Sequence, residues 1–418
     1  MNHPPSDLER RLGLSDAVTI GLGAMIGAGI FVALGPAAEA AGSGLLLGLA
    51  LAGFVAFCNA MSSARLAALY PQSGGTYVYG RERLGPFWGY LAGWAFVVGK
   101  LASCAAMALA VGSYAWPGHE RLVAVLAVAA LTAVNYVGVQ KSAQVTRWIV
   151  IAVLAVLTMV VVTAFTGGTA DTSRLALGAD VTAGGVLQAA GLLFFAFAGY
   201  ARIATVGAEV RDPQRTIPRA ISISLVTALA VYVVVAVTVL SVLGVDDLAA
   251  SRAPLADAVD QAGRPGLGPV VQVGAAVAAL GSLLALILGV SRTSFAMAHD
   301  RHLPAVLTAV HPRFGVPHRA EIAVGLVVMV MAATVDLRGA IGFSSFGVLT
   351  YYAIANASAW TLTRAENRPP RAIPVIGLLG CTLLAFALPL AAVVSGAVVV
   401  LLGAAIYPIS SMVVRQKG

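Results

Sequence analysis

Twelve apolar runs, each near 20 residues, fill most of the 418-residue chain and leave it few ways to fold. A helix of about 20 apolar residues crosses the hydrocarbon core of a bilayer. The runs lie at about 16–41, 44–69, 87–113, 120–139, 145–167, 186–208, 217–243, 269–297, 320–336, 340–363, 372–392 and 394–414. Backbone groups in lipid must bond within their own segment, so these runs predict an all-α polytopic membrane protein. Composition agrees: 59% of residues are hydrophobic and 11% charged, against roughly 25% charged in a soluble domain. The polar start, MNHPPSDLERRLGLSDAV, precedes a run too long and too Gly-rich for a cleaved leader, so no processing site is expected.

Lysine and arginine set the orientation. With the N-terminus inside, the inner segments carry 20 of the 26 basic residues, from Arg10 and Arg11 through Lys141 to Arg415 and Lys417. The outer segments carry five, Arg121, Arg174, Arg252, Arg264 and Arg338, and Lys100 falls inside a span. Such an excess follows the positive-inside rule and predicts cytoplasmic N- and C-termini in the cell membrane. It also accounts for the net charge of +8 without nucleic acid, because the basic residues are spread over seven separate segments.

The first span contains GLGAMIGAGIF, Gly21 to Phe31, with four glycines in eleven residues. Each costs a helix about 1 kcal/mol against alanine. Two readings stand: small residues allowing close helix packing, or a helix deliberately broken where its backbone lines a cavity. The sixth span, GLLFFAFAGY at 191–200, closes on Gly199 with Arg202 just beyond. If spans 1–5 and 6–10 are two repeats, these segments correspond. Interrupted spans at corresponding positions point to a transporter's binding site. The predicted arrangement is a cytoplasmic segment (1–15), one transport domain (16–414) and a short tail (415–418). Within the domain, repeat one covers about 16–167, repeat two about 186–363, and two peripheral helices about 372–414.

Four stretches, in order, carry a resemblance. GLGAMIGAGIFVALGPAAEAAG, YPQSGGTYVYGRERLGP (70–86), FFAFAGYARIATVGAEVRDPQRTIPRAI (194–221) and SRTSFAMAHDRHLPAVLTAVHPRFGVPHRA (291–320) resemble the amino acid–polyamine–organocation superfamily, including its bacterial cationic-amino-acid-transporter-like members. The resemblance implies the LeuT-type fold: a 5+5 inverted repeat with helices 1 and 6 broken, plus two peripheral helices. It implies that backbone N–H groups of Ile26, Gly27, Ala28 and Gly29 receive a substrate carboxylate. Carbonyls of Phe195, Ala196 and Ala198 would receive the ammonium. No Asp or Glu lies near either break, so neutral amino acids are expected before Arg, Lys or polyamines.

Lys100 lies about thirteen residues into span 3, roughly 20 Å from the inner surface at 1.5 Å per residue. An ionisable residue at that depth is a functional hypothesis in itself. Some relatives carry such a lysine in span 5, where this chain has Val153. Lys100 is therefore expected to act in proton coupling or as a compensating charge, with a fixed structural strut as the alternative. Arg202 and Glu209 are gate candidates; Ala208 stands where the family often has a second Glu.

Other features are read as structural. Cys58, Cys104 and Cys381 lie in spans without paired spacing, and His299, His302, His311 and His318 share one inner loop, so neither disulfide, metal nor cofactor is expected. An enzyme would need a motif such as HExxH or GxSxG, an ATP-driven pump GxxxxGK[ST], and a channel a polar filter; none is found. The expected function is a secondary active transporter of amino acids, symporting with protons before sodium. An exchanger, a cationic amino acid or polyamine permease, and a non-transporting sensor are the alternatives. Oligomeric state is not read from the sequence.

Overall fold

Span 1 is not one helix. In the computed structural model, which describes residues 12–72, 74–138, 143–205 and 207–415, it comprises α1 (Leu14–Met25), α2 (Ala28–Val32) and α3 (Leu34–Ala41). Arg10, Arg11, Lys141 and Lys417, counted above, lie outside the described residues. The chain continues through α4 (Leu45–Leu69), α5 (Thr76–Leu84), α6 (Pro86–Ala115), α7 (Glu120–Tyr136) and α8 (Ala143–Thr166). Span 6 is also divided, into α9 (Ala183–Phe197), a 3-10 turn at Ala198–Tyr200, and α10 (Ala201–Thr205). Then come α11 (Pro213–Ala250), α12 (Pro254–Gln261), α13 (Gly268–His299), α14 (His318–Thr334), α15 (Leu337–Trp360), α16 (Ala372–Ala387) and α17 (Leu390–Arg415).

Local chemistry sets several ends. Pro86, Pro213 and Pro254 sit at first-turn positions, where a missing N–H costs nothing. The Thr182 and Asp336 side chains cap α9 and α15 by accepting from Gly185 and Gly339 N–H. Gly244, at φ +76°, breaks α11 where the seventh apolar run ends.

Among the described residues, eight helical stretches are long and apolar enough to cross a membrane. The remaining four apolar runs are the helices α7, α14, α15 and α16, of 17, 17, 24 and 16 residues. The amphipathic-length α5 and α12, in the connections, were not anticipated from hydropathy. Large apolar side chains face outward on α7, α8, α16 and α17, including Leu126, Trp148, Leu383 and Leu401. Lipid is the solvent that suits them.

The packing carries an internal symmetry. Exchanging each span for the one five later maps observed partners onto observed partners. The α1–α11 pair becomes α9–α4, α6–α15 becomes α13–α8, and α1–α8 becomes α9–α15. The pairs α4–α11, α6–α13 and α7–α14 map onto themselves. Five crossings in each half would place the second half upside down relative to the first. Helices α16 and α17 lie outside this scheme, against α15, α4 and α6.

Candidate functional site

The two breaks meet. Span 1 leaves helical geometry at Ile26 and Gly27, and α2 starts at Ala28. Ala33 keeps helical angles, so α2 and α3 form one run whose first turn leaves N–H groups without intrahelical partners. A Cβ on Gly199 would collide with the backbone of Ala24 and Met25, and one on Gly29 would come within 2.8 Å of the Ala196 Cα. Both readings of the glycines therefore hold: they permit the break and let the broken helices touch.

Side chains from unbroken helices fasten the breaks. The buried Tyr232 hydroxyl on α11 reaches the carbonyls of Met25 and, at 3.0 Å, Ala196. It has one proton to share between them. Ser282 Oγ on α13 donates to the Gly23 carbonyl at 3.3 Å. Lys100 Nζ on α6 donates to the Ala198 carbonyl at 3.4 Å. Spans 3 and 8 are five apart, as are spans 1 and 6, so Lys100–Ala198 is the counterpart of Ser282–Gly23. A cation in one half stands where a hydroxyl stands in the other.

A cavity of about 280 Å³ runs from this junction to the face where the described chain begins and Leu12 N–H bonds the Glu209 carbonyl at 3.0 Å. Of the expected substrate residues, Ile26, Phe195 and Ala198 line it, whereas Gly27, Gly29 and Ala196 do not. The three expected acceptors are engaged: Phe195 by the Ala198 N–H, Ala196 by Tyr232 and Ala198 by Lys100. Each carbonyl keeps a second lone pair. Lys100, Phe96, Met107 and Val153 also line it. Lys100 is 5% exposed.

Arg202 and Glu209 line the same cavity, with Arg292 from α13. The Arg202 guanidinium lies against Gly289, and its charged neighbours are Arg292 and Glu209. Among the described residues no carboxylate comes within 4 Å of it, so the two gate candidates Arg202 and Glu209 form no ion pair in this conformation. Glu209 is the one carboxylate among the lining residues described, against three cations.

Beyond the breaks the chain is closed. Tyr114 donates to the Phe31 carbonyl at 2.8 Å, and the two rings meet edge to face. At the far face Arg338 pairs with Glu39 and donates to the Ala249 carbonyl at 2.6 Å, tying α15 to α3 and α11. Asp180 accepts from the Ser43 N–H and hydroxyl, both at 2.7 Å, and these bonds hold its carboxyl below the usual range.

A model of the amino acid permease family matches residues 16–367. The chain belongs to that family. This permease is 68% identical over 412 residues to an uncharacterized transporter of Mycobacterium tuberculosis, a match covering 99% of this chain and 94% of the other. It is 26% identical over 433 residues to the branched-chain amino acid permease BcaP of Bacillus subtilis, covering 96% and 92%. It is 29% identical over 396 residues to cationic amino acid transporter 4 of Homo sapiens, covering 87% and 61%. The permease is a multi-pass membrane transporter, not an enzyme.

Sequence reading missed Tyr232. It sits in AVYVVVAV, an apolar run that hides its single hydroxyl. Only the meeting of two broken helices gives that hydroxyl its acceptors.

Proposed function

We propose that this permease is a secondary active transporter of neutral L-amino acids, working by alternating access and driven by protons. The observation that carries the reading is the cavity at the helix breaks, lined largely by apolar residues with Lys100, Arg202 and Arg292 as its cations. The zwitterion would be read by backbone. Its carboxylate goes to the N–H groups of Gly27, Ala28 and Gly29, at the positive end of a helical run; the Ile26 N–H, expected with them, instead bonds the Leu22 carbonyl at 2.7 Å. Its ammonium goes to carbonyls of Phe195, Ala196 and Ala198. A cationic side chain would meet Lys100, Arg202 and Arg292, whose like charge disfavours it. The names of the relatives support both neutral and cationic substrates, and the charge of the cavity favours the neutral class.

Lys100 is the coupling residue in this reading, because its ammonium holds the broken part of span 6. Arg202 and Glu209 act as gate residues where the cavity reaches the N-terminal face. With the termini cytoplasmic in the cell membrane, the conformation is inward-facing. The repeats of about 16–167 and 186–363 supply the rocking elements, as the exchange symmetry of the packing supports.

The test is uptake of labelled alanine, serine, valine, leucine and arginine into proteoliposomes without sodium, with an inward proton gradient imposed or absent. The reading expects accumulation of a neutral amino acid only under the gradient. Accumulation of arginine alone would overturn the substrate class. Uptake that ignores the gradient and requires preloaded amino acid would establish an exchanger.

A further inference from the structure

We propose that Glu321 on α14 is a proton-binding residue of this permease, exchanging its proton with the transport cavity through Ser291. The inference deepens the proton-driven reading, and its transport arm rests on it.

Glu321 is fully buried, at 0% exposure, in the first turn of α14. Its Oε1 accepts from Ser291 Oγ of α13 at 2.6 Å, and among the described residues its Oε2 has no hydrogen-bond partner. Among the described residues no lysine, arginine or histidine nitrogen lies within 4 Å of it. A carboxylate buried without a counter-charge is accommodated by taking up a proton, which also turns the idle oxygen into a donor.

Ser291 is itself buried and does not line the cavity, but its neighbours on α13 do. Ser291 Oγ also bonds the Leu288 carbonyl at 3.1 Å, and Leu288, Gly289, Val290 and Arg292 all line the cavity. Asn135 of α7 lines it as well, with its Oδ1 unpartnered. Helices α7 and α14 touch at Thr132 and Gly325, and Gly138 meets Phe314 and Val316 just before α14 begins. They therefore run antiparallel, and Asn135 lies level with Glu321. In the relay the proton leaves Glu321 for Ser291 Oγ as the Ser291 proton passes to cavity water, and the reverse step reloads it.

The charged and titratable groups facing Glu321 are few. Arg292 comes from α13 and Cys104 from α6, while α7 turns Thr132 toward α14 and its Asn135 amide bonds the Leu284 carbonyl of α13. On its own helix His318 and Arg319 precede it, with His318 against the Tyr136 ring of α7.

Infrared difference spectra of the reconstituted full chain across a pH titration test the assignment without needing a substrate. Wild type should show a protonated-carboxyl C=O band that titrates, is absent in Glu321→Gln, and shifts in Ser291→Ala. In transport, Glu321→Gln should keep exchange of the accumulated amino acid at equal pH and lose gradient-driven accumulation at least tenfold. A band that survives Glu321→Gln, or accumulation that persists, would overturn the proposal. If Glu321→Gln does not fold, Ser291→Ala decides: an unmoved band and an unmoved pH profile of uptake refute the relay. If wild type accumulates no amino acid, the transport reading fails, and the infrared arm still settles whether Glu321 holds a proton.

Discussion

At the scale of residues, the molecule is organised by single polar groups reaching backbone that its own helix cannot satisfy. Tyr232 is the plainest case. Tyr232→Phe keeps the ring against Phe197 and strands two buried carbonyls. An unsatisfied buried acceptor costs about 1–3 kcal/mol, so a lower melting temperature in detergent is expected; an unchanged value would mean that the hydroxyl holds nothing. Lys100→Gln removes a charged donor from Ala198. A hydrogen bond to a charged group is worth about 1.5–3 kcal/mol, or roughly tenfold to a hundredfold. Accumulation should fall by that factor while the folded yield is maintained, and full activity would leave Lys100 a bystander. Lys100 was legible because lysine is conspicuous in an apolar span. Glu321 was not, because it lies at a span's edge among loop charges, and only the fold shows its burial.

At the scale of elements, the breaks were legible in glycine placement, because few other reasons put four glycines in eleven residues of a span. What sequence could not show is that Gly199 sits on the Ala24–Met25 backbone. Gly199→Ala must separate the two broken helices, and overpacking of this kind costs about 1–3 kcal/mol. It should reduce thermal stability, whereas Gly184→Ala, with open space around its Cβ position, should not. Equal melting temperatures for the two variants would contradict the close contact.

The short helix α5 was invisible to hydropathy because it rests on polar ties. Arg83 on α5 holds Glu366 at 2.8 and 3.1 Å, and with the Thr363 N–H and hydroxyl it pushes that carboxyl down to about 2. A depressed carboxyl stabilises the fold above its ordinary value of 4.5 and loses that contribution as pH falls toward about 2. The stability difference between wild type and Glu366→Gln should therefore be constant near neutrality and shrink below about 4.5. A difference that grows on acidification has the wrong sign for this tie.

At the scale of the whole molecule, class and span number were legible because a bilayer leaves so few options. The internal repeat was legible only as span position. Its symmetry lies in which helices pack together, and different residues make those contacts in each half: a lysine on a carbonyl in one, a serine in the other. The same packing frames the functional claim. The far face is shut by Arg338–Glu39 and by Tyr114 on Phe31, while the cavity reaches the N-terminal face. Under the proposed alternating access, a second state would have those roles reversed.

The most direct test is a pair of spin-label distances in the reconstituted permease, taken with and without the accumulated amino acid. The native Cys58, Cys104 and Cys381 are buried and leave little labelling background. One pair, at Thr205 and Arg292, spans the cavity mouth; the other, at Glu39 and Arg338, spans the closed face. The account predicts that a neutral amino acid shortens the first distance and lengthens the second in the same population. Both distances staying fixed at saturating amino acid, or both changing in the same direction, would contradict alternating access.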